Sequence, residues 1–403
     1  MVVSAEARRP TDEPQAYFSA SVADRDALIS KLNAANHSML EGQATLLDGH
    51  ARFTGPKEVT VETRDGDVVV TAENIIIGTG TSPTRPNLPG IDLDGVHDST
   101  TIQHIDPFPK RLAVIGGGFI GLEFANMFRL FGSDVTVLDA SETFLEKAEP
   151  IVAQTAHDLL VRGGVEIRNG VKVAGIEKSA DGIQVLVDGS DAKVEADAVL
   201  VAVGRTPATS DLGLDKAGIE TNERGFITVD DHLRTNVDGV FAVGDVNGGP
   251  QFTYISLDDN RIVWDQLMGK GERTTSDRIA LPHNTFITPP LSSVGMSPAE
   301  AVAAGHTVLY AAKPVAKLAA MPRPKIVGDA EGVITFTVDA GTREVLGASL
   351  FCIDSQELVN LVALAMRAGV TADELMNGIW THPSSTEAFN EVLAELAHWT
   401  PED

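Results

Sequence analysis

The sequence predicts an α/β protein with more than one domain, and two patterns along the chain carry this prediction. Predicted strands and helices alternate from 112 to 204, which implies a parallel sheet flanked by helices. Beyond 282 the order changes to strands followed by helices, which is typical of a separate α+β module. A chain of 403 residues is also too long for one hydrophobic core, so we expect two or three domains.

The first part of the chain is predicted as one helix followed by short strands. Apolar residues recur at helical spacing from 21 to 39, which predicts an amphipathic helix. Four of them are expected to share one face: Leu28, Ile29, Leu32 and Met39. Gly and Asp turns predict short strands from 44 to 70, and the apolar run 75–77 predicts a buried strand. Pro83, Pro86, Pro89 and Gly90 then indicate a domain boundary between there and Pro109.

Periodicity and turn residues place the remaining elements. Strands are predicted at 112–115, 134–138, 194–203, 307–312, 332–338 and 345–351, with one more inside 226–245. Helices are predicted at 120–131, 151–162, 254–268, 355–368, 371–376 and 385–397.

A glycine-rich loop stands where the first strand of the alternating region meets its helix. Gly116, Gly118 and Gly121 have the spacing of a dinucleotide fingerprint, in which glycines allow a tight turn, pyrophosphate approach and close helix packing. The first turn of the helix would offer unpaired N–H groups to phosphate. Asp139 ends the next strand, 18 residues after Gly121, and is expected to bind the adenosine ribose. The plain alternative is a glycine-rich turn in an unrelated α/β sheet.

Asp139 also predicts which nicotinamide cofactor is used. Its carboxylate would repel a 2′-phosphate, and no Arg follows between 140 and 145. We therefore expect NADH to be preferred over NADPH.

Composition excludes several classes of protein. The apolar fraction of 43% and the charged fraction of 22% are ordinary for a soluble globular protein, and no apolar run is long enough to span a bilayer. A net charge of −26 argues against a nucleic-acid partner. The single cysteine, Cys352, excludes an internal disulfide, and the cytoplasm is the simplest compartment. No metal site is predicted.

The order of motifs resembles the class I pyridine nucleotide-disulfide oxidoreductases, a family that includes lipoamide dehydrogenase, glutathione reductase and mercuric reductase. The likeness rests on Thr79-Gly80, the glycine loop with Glu123, 203–207, 235–245, 286–291, 294–295, and His382 with Glu387. A narrower likeness, on 251–256 and 365–369, is to the mercuric-reductase-like branch that includes reactive-chlorine-resistance reductases. The C-terminus lacks the cysteine pair of mercuric reductases, so mercury reduction is not expected.

The resemblance implies FAD and NAD as cofactors. The implied FAD contacts are Thr79, Gly80, Asp245, Gln251, Phe252, Thr253 and Tyr254. The implied NAD contacts are Gly116, Gly118, Gly121, Glu123, Asp139, Val173 and Gly204. Asp245 has a plainer alternative, because after Gly244 it could cap the helix that follows.

The resemblance also implies that His382 and Glu387 are the catalytic acid/base pair, acting on a disulfide of the partner subunit. A carboxylate bonded to one imidazole nitrogen fixes the tautomer and suits the other nitrogen to general-base work. The alternative is an ordinary surface histidine. Cys352 lies in an apolar run, where a buried inert thiol is expected.

The family architecture implies four segments. These are 1–107, a truncated first segment of a discontinuous FAD-binding domain; 108–228, an inserted NAD-binding Rossmann-like domain; 229–279, the second FAD segment; and 280–403, an α+β interface domain that forms a homodimer. Family members begin with a flavin Gly-x-Gly-x-x-Gly and a Cys-x-x-x-x-Cys. We expect both to lie upstream of Met1, so FAD should be weakly held by the chain as written.

Three functions are compatible with these patterns. The leading one is the family reaction, in which hydride passes from NADH to FAD and electrons then pass through a disulfide to a small-molecule substrate. The second is a diaphorase that works without cysteines. The third is a non-catalytic NAD-binding or dimerisation partner.

Overall fold

The structure is a computed structural model that describes residues 13–400. These residues form two compact units, and each unit is built from separate stretches of the chain. The larger unit holds 13–24, Arg85–Val203 and 280–400, and the smaller unit holds Arg25–Thr84 and Gly204–Ile279.

The elements are numbered in chain order. The helices are α1 (Pro14–Leu40), α2 (Phe119–Phe131), α3 (Pro150–Arg162), α4 (Leu214–Ala217), α5 (Thr253–Met268), α6 (Pro298–Ala303), α7 (Pro322–Val327), α8 (Ser355–Ala368), α9 (Ala372–Met376) and α10 (Ala388–Val392). The first strands are β1 (Gly49–Gly55), β2 (Glu58–Thr63), β3 (Gly66–Thr71), β4 (Ile75–Ile77), β5 (Thr81–Pro83), β6 (Val96–His97), β7 (Arg111–Ile115), β8 (Asp134–Leu138), β9 (Val165–Arg168), β10 (Val173–Ser179) and β11 (Gly182–Val187). The later strands are β12 (Lys193–Ala196), β13 (Ala198–Val201), β14 (Arg205–Pro207), β15 (Val240–Ala242), β16 (His283–Thr285), β17 (Leu291–Gly295), β18 (Val308–Pro314), β19 (Val333–Asp339), β20 (Val345–Phe351) and β21 (Ala397–His398).

A parallel sheet forms the first part of the larger unit, as the alternation of strands and helices predicted. Its five strands run in the order β6-β13-β7-β8-β9, and every neighbouring pair is parallel. Crossovers through α2 and α3 place helices against it, since parallel neighbours cannot be joined by a tight turn. Apolar side chains from the strands and from α2 fill its core, among them Leu112, Val114, Leu122, Phe128 and Val137.

The predicted strand at 194–203 is wrong in one respect, because it is two strands. β12 belongs to an antiparallel sheet with β10 and β11, whereas β13 joins the parallel sheet. The break falls at Asp197, whose Oδ2 accepts the backbone N–H of Arg111 at 2.8 Å. The Arg111 guanidinium donates to the other oxygen at 2.6 Å, so this side-chain pairing marks the change of sheet.

The last part of the larger unit is a six-stranded sheet in the order β16-β17-β20-β19-β18-β21, with α8 packed on it. The predicted helix at 385–397 is too long. Only α10 is α-helical there, a 3₁₀ turn follows at Leu393–Glu395, and β21 pairs with the edge strand β18. Pairing with β18 therefore decides the backbone conformation at this end of the chain, and it overrides the helix propensity of the residues.

A buried carboxylate ties the start of α3 to the six-stranded sheet within the larger unit. Glu149 accepts hydrogen bonds from Tyr310 Oη at 2.8 Å, Thr335 Oγ1 at 2.8 Å and Ser349 Oγ at 2.7 Å. Burial and the neighbouring Glu149 charge raise the pKa of Tyr310 well above its usual range. The hydroxyl therefore stays protonated and remains a donor to Glu149.

The smaller unit is built from small sheets around a compact core. β1, β2 and β3 form an antiparallel sheet, β4 pairs with β15 in parallel, and β5 pairs with β14 antiparallel. Its core includes Phe53, Ile77, Leu212, Ile227 and Val240. A second cluster packs α5 onto the unit through Ile262 and Val263.

Two apolar surfaces at the front of the chain are exposed, and one of them was predicted to be buried. α1 exists, but its predicted apolar face is exposed: Leu28, Ile29, Leu32 and Met39 are 46–63% accessible. The helix is buried instead near its start, where Tyr17 and Phe18 pack against Phe131. Ile76, expected to be buried in β4, is 51% exposed, because neighbouring strand side chains point to opposite faces and Ile77 is the one that packs into the core of the smaller unit. None of the helices within 13–400 meets the length and hydropathy needed to cross a bilayer.

Candidate functional site

The glycine loop of the larger unit turns sharply between β7 and α2. Gly116 has φ +108°, and a Cβ at this position would lie 2.5 Å from the carbonyl oxygen of Ala202. A Cβ on Gly121 would collide with the carbonyl oxygen of Gly116. Glycine is therefore required at both positions, at the first by backbone conformation and close approach and at the second by helix packing.

Gly118 leaves an open space at the N-terminus of α2. It caps the helix with an extended backbone, and a Cβ added there would meet no atom within 4 Å. The first N–H groups of an α-helix have no partner within the helix and carry its positive dipole end. The loop thus offers free volume next to backbone donors, which fits the pyrophosphate of a dinucleotide.

Asp139 lies beside this loop, directly after β8. A Cβ on Gly117 would lie 2.6 Å from Asp139 Oδ2, so carboxylate and loop are in contact range. Arg168 is a basic residue at the same edge of the sheet. Its backbone oxygen accepts the Asp139 N–H at 2.9 Å. Its guanidinium is bonded to Glu166 Oε1 at 2.8 Å. Val173 begins β10 and packs against the apolar cluster that contains Leu138.

Glu123 lies on α2, in the turn after Gly121. Its Oε1 accepts the backbone N–H of Phe286 at 2.8 Å. Burial raises the pKa of the Glu123 carboxyl, and the Phe286 hydrogen bond offsets part of that rise. Asn126, one turn further along α2, donates to Thr288 Oγ1 at 3.1 Å, so α2 is fixed to the segment before β17.

In the smaller unit, Asp245 is held by residues that lie far from it in sequence. Thr81 Oγ1 donates to Asp245 Oδ2 at 2.9 Å, and Arg205 Nε donates to the same hydroxyl at 2.6 Å. Asp245 lies inside a 3₁₀ turn whose N-cap is Val243, and α5 begins only at Thr253 with Phe252 as its N-cap. Asp245 therefore does not cap a helix, and its carboxylate remains available as an acceptor of hydroxyl donors.

The segment before Thr81 and the segment after Arg205 meet in the same region. Thr79 Oγ1 donates to the carbonyl oxygen of Ala208 at 3.0 Å, and the Ala208 N–H donates to the Gly80 oxygen. Gly80 has φ +71°, and a Cβ added there would meet no atom within 4 Å. Gly204 has φ +121°, and its carbonyl oxygen accepts the N–H of Thr84.

Four further predicted flavin residues lie at the start of α5. The Phe252 and Tyr254 rings stack with centroids 5.1 Å apart, Thr253 is the first residue of the helix, and Gln251 is exposed before it. Burial raises the pKa of Tyr254, so its phenol is neutral at physiological pH. An acceptor carboxylate, an open glycine turn and a stacked aromatic pair are groups of the kinds that can contact the sugar-alcohol and ring portions of FAD.

Asp259 is a residue of this region that sequence reasoning missed. It is 1% exposed, and its Oδ2 accepts the N–H of Gly244 at 2.6 Å, directly before Asp245. Arg278 pairs with its other oxygen. The sequence does contain a signal, because Asp259 occupies the buried face of α5 together with Ile255, Ile262 and Val263. An acid on an apolar helix face needs a specific partner.

The His382 and Glu387 side chains are brought together at the end of the larger unit. His382 Nδ1 and Glu387 Oε1 are 2.9 Å apart, and the Ser384 N–H donates to Glu387 Oε2 at 2.8 Å. The imidazole is 73% exposed, whereas the carboxylate is only 16% exposed. Burial of Glu387 acts to raise its pKa, but the hydrogen bonds from His382 and Ser384 outweigh burial, and its pKa is lowered overall.

Among the described residues there are also a buried thiol and a cluster of residues of metal-ligand type. Cys352 follows β20 and is fully buried, and burial raises the pKa of its thiol far above the usual range. Within 13–400, three side chains of metal-ligand type meet at Asp230, Asp231 and His232. They already hydrogen-bond each other and the local backbone, since His232 Nδ1 lies 2.9 Å from Asp231 and Asp230 accepts two N–H groups.

Comparison with known proteins places the chain in a family. The profile described as pyridine nucleotide-disulphide oxidoreductase matches residues 3–259, and the profile for the dimerisation domain of the same proteins matches 281–393. The chain is 42% identical over 350 residues to the probable pyridine nucleotide-disulfide oxidoreductase RclA of Escherichia coli, covering 87% of this chain and 78% of that protein. It is 34% identical over 381 residues to dihydrolipoyl dehydrogenase of Thermus scotoductus, covering 93% and 80%.

Solved structures agree with these matches. The HOCl-induced flavoprotein disulfide reductase RclA from Escherichia coli superimposes with a TM-score of 0.92 at 38% identity, covering 98% of this chain and 88% of that one. The predicted α/β fold, the predicted family and the predicted mercuric-reductase-like, reactive-chlorine-resistance branch are thereby confirmed. The chain belongs to the pyridine nucleotide-disulphide oxidoreductases, a family of FAD-binding, NAD(P)-dependent flavoprotein reductases.

Proposed function

We propose that this chain is an NADH-dependent flavoprotein reductase of disulfide-type substrates that works as a homodimer. The observation that carries the cofactor choice is the Asp139 carboxylate beside the glycine loop. The observation that supports the proton chemistry is the 2.9 Å contact between His382 and Glu387.

The proposed dinucleotide site uses residues of the larger unit. Gly116, Gly118 and Gly121 would receive the pyrophosphate against the first turn of α2. Asp139 would accept hydrogen bonds from both ribose hydroxyls, and it would repel a 2′-phosphate. Arg168 is already paired with Glu166, which weakens it as a counter-charge for that phosphate. Glu123 and Val173 are proposed to line the nicotinamide and adenine ends of the same site.

The proposed flavin contacts lie in the smaller unit, which also holds Gly204, a predicted NAD contact that is not part of the larger unit. Thr81 orients the Asp245 carboxylate through one of its oxygens. Asp245 would therefore accept a hydrogen bond from a hydroxyl of the ribityl chain. Thr79, Gly80 and the segment Gln251–Tyr254 would border the ring. When bound, FAD supplies the two-electron chemistry between the nicotinamide and a disulfide.

His382 is proposed as the group that takes and returns the proton of a thiol. Glu387 can only accept at the short contact, so His382 Nδ1 carries the hydrogen and Nε2 is left as the proton acceptor. The imidazole is exposed while the carboxylate is mostly buried, so the ring is open to a second subunit that approaches from solvent. The match of 281–393 to a dimerisation domain supports a homodimer of this kind.

The domain limits remain part of the proposal, with breaks after 107, 228 and 279. The break at 280 is supported by the change from the first family profile to the second. A cytoplasmic location also remains a prediction, which cell fractionation would check.

Calorimetric titration of the purified chain with NADH and NADPH tests the cofactor choice. We expect NADH to bind at least tenfold more tightly, a difference of about 1.4 kcal/mol, and Asp139→Asn to reduce that ratio. Asp134→Asn is the matched control, since Asp134 opens the same strand β8 at its other end. Equal or tighter binding of NADPH by the unmodified chain would overturn the proposal.

A further inference from the structure

We propose that Asn390 and Asp354 are positioning residues for the His382–Glu387 pair. They fix the two ends of the segment 379–387, which we call the histidine loop. This inference rests on the proposed role of His382 and Glu387, and it assigns the residues that hold the pair together when no substrate is bound.

The entry of the histidine loop is fixed by Asn390. This residue lies on α10, directly after the loop, yet its side chain reaches back to the residues before the loop. Asn390 Nδ2 donates to the carbonyl oxygens of Met376 at 2.6 Å and Gly378 at 3.0 Å. Met376 is the last residue of α9 and Gly378 lies just beyond the helix, at the end where backbone acceptors have no partner within the helix. One amide therefore closes the loop by joining its start to its end.

The exit of the histidine loop is fixed by Asp354. Ser385 is 4% exposed, and its Oγ donates to Asp354 Oδ2 at 2.7 Å. Arg323 Nε donates to the same oxygen at 3.1 Å, which orients the carboxylate. Asp354 itself has φ +63° at the N-cap of α8, a left-handed conformation that aspartate and asparagine tolerate better than most residues.

These two anchors act on the backbone that carries the acid/base pair. The Ser384 N–H donates to the Glu387 carboxylate, and Ser385 lies between these two residues in the chain. The imidazole of His382 is 73% exposed and has considerable rotamer freedom, so its bond to Glu387 forms readily only when both backbones are already ordered. The geometry therefore predicts that losing either anchor weakens the Nδ1–H bond to Glu387 without removing either partner.

Histidine-selective ¹⁵N NMR of the full chain tests this inference. His382→Gln identifies the His382 signals, and Glu387→Ala, which removes the acceptor at this position, gives the spectrum of an unsupported imidazole. We expect the fraction of the Nδ1–H tautomer of His382 to fall at least twofold in Ser385→Ala and in Asn390→Ala. Asp354→Ala should behave like Ser385→Ala. Asp354→Asn should stay close to the unmodified chain, because it keeps an acceptor for Ser385 and tolerates the left-handed backbone.

Asn360→Ala is the matched control, since Asn360 also donates its side-chain amide to a backbone carbonyl in the same domain, on α8. It should leave the His382 tautomer unchanged. A general loss of stability would not shift the tautomer of the folded state, and thermal unfolding of each variant separates the two effects. If Asn390→Ala fails to fold, Ser385→Ala and the two Asp354 variants still decide the result.

The outcome is independent of nucleotide, flavin and substrate. Folded anchor variants with an unchanged tautomer fraction would overturn the inference, and so would an unmodified chain without the Nδ1–H tautomer. A tautomer shift in a chain that binds NADPH as tightly as NADH would support the positioning role and count against the proposed function instead.

Discussion

At the residue scale, the site depends on side chains that join distant parts of the sequence. The glycine spacing, Asp139 and the His382–Glu387 pair could all be found from the sequence, because each is local or follows a strand. The hydrogen bonds that connect Thr81 and Arg205 to Asp245 could not be predicted, since no sequence pattern indicates that β5 and β14 pair. Asp259 was detectable in principle, as an acid on the buried face of α5, but its partner Arg278 was not.

Asp259→Ala is predicted to destabilise the smaller unit strongly. The change leaves Arg278, 9% exposed, without the more buried of its two carboxylate partners and frees the Gly244 N–H. Breaking a buried ion pair from one side costs about 3–5 kcal/mol. Urea unfolding followed by circular dichroism measures the loss. Asp238→Ala, an exposed acid in the same unit, is the control and should change stability by less than about 0.5 kcal/mol. A loss below about 1 kcal/mol for Asp259→Ala would contradict the prediction, since it would fall short of the range for a broken buried pair.

At the element scale, strands and helices whose ends are marked by local residues agree closely with prediction. β8, β20 and α8 begin and end where the sequence places them. The errors occur where long-range pairing decides the backbone. The chain switches sheets at Asp197 because of Arg111, and β21 forms because the edge of β18 accepts it. Neither pairing produces a periodic pattern of apolar residues, so periodicity and propensity could not predict either one.

The turn after β19 provides a pH-dependent prediction. The pKa of Asp339 is lowered to about 2, chiefly by the backbone N–H of Thr342 and next by the hydrogen bond with His306. A carboxyl whose pKa is lower in the folded state contributes stability above its unfolded pKa, which is about 3.9, and loses it as the pH falls toward the folded value. The difference in unfolding free energy between the unmodified chain and Asp339→Asn should therefore be largest above pH ~4 and shrink toward pH ~2. Denaturant titrations across this range measure it, and a difference that does not vary with pH would refute the prediction.

At the scale of the whole molecule, the sequence predicts how many apolar residues there are but not which remain exposed after folding. The exposed face of α1 and the exposed Ile76 show this at the front of the chain. Exposure depends on which surfaces meet in the folded chain, and periodicity reports only that a helix or strand has an apolar side. The same limit applies to Ile379, whose side chain is fully accessible although it lies between buried parts of the dimerisation-domain match.

Ile379→Asp is predicted to weaken the homodimer. Ile379 is 100% exposed and lies three residues before His382, in the region matched to a dimerisation domain. Burying an isoleucine stabilises by about 1.5–3 kcal/mol, and a twofold interface would bury two copies. The dissociation constant should therefore rise about 100-fold or more, which sedimentation velocity over a dilution series would measure. Ile279→Asp is the control, because Ile279 is 55% exposed but lies outside the matched region. Equal dissociation constants for the Ile379 variant and the unmodified chain would place Ile379 outside the interface.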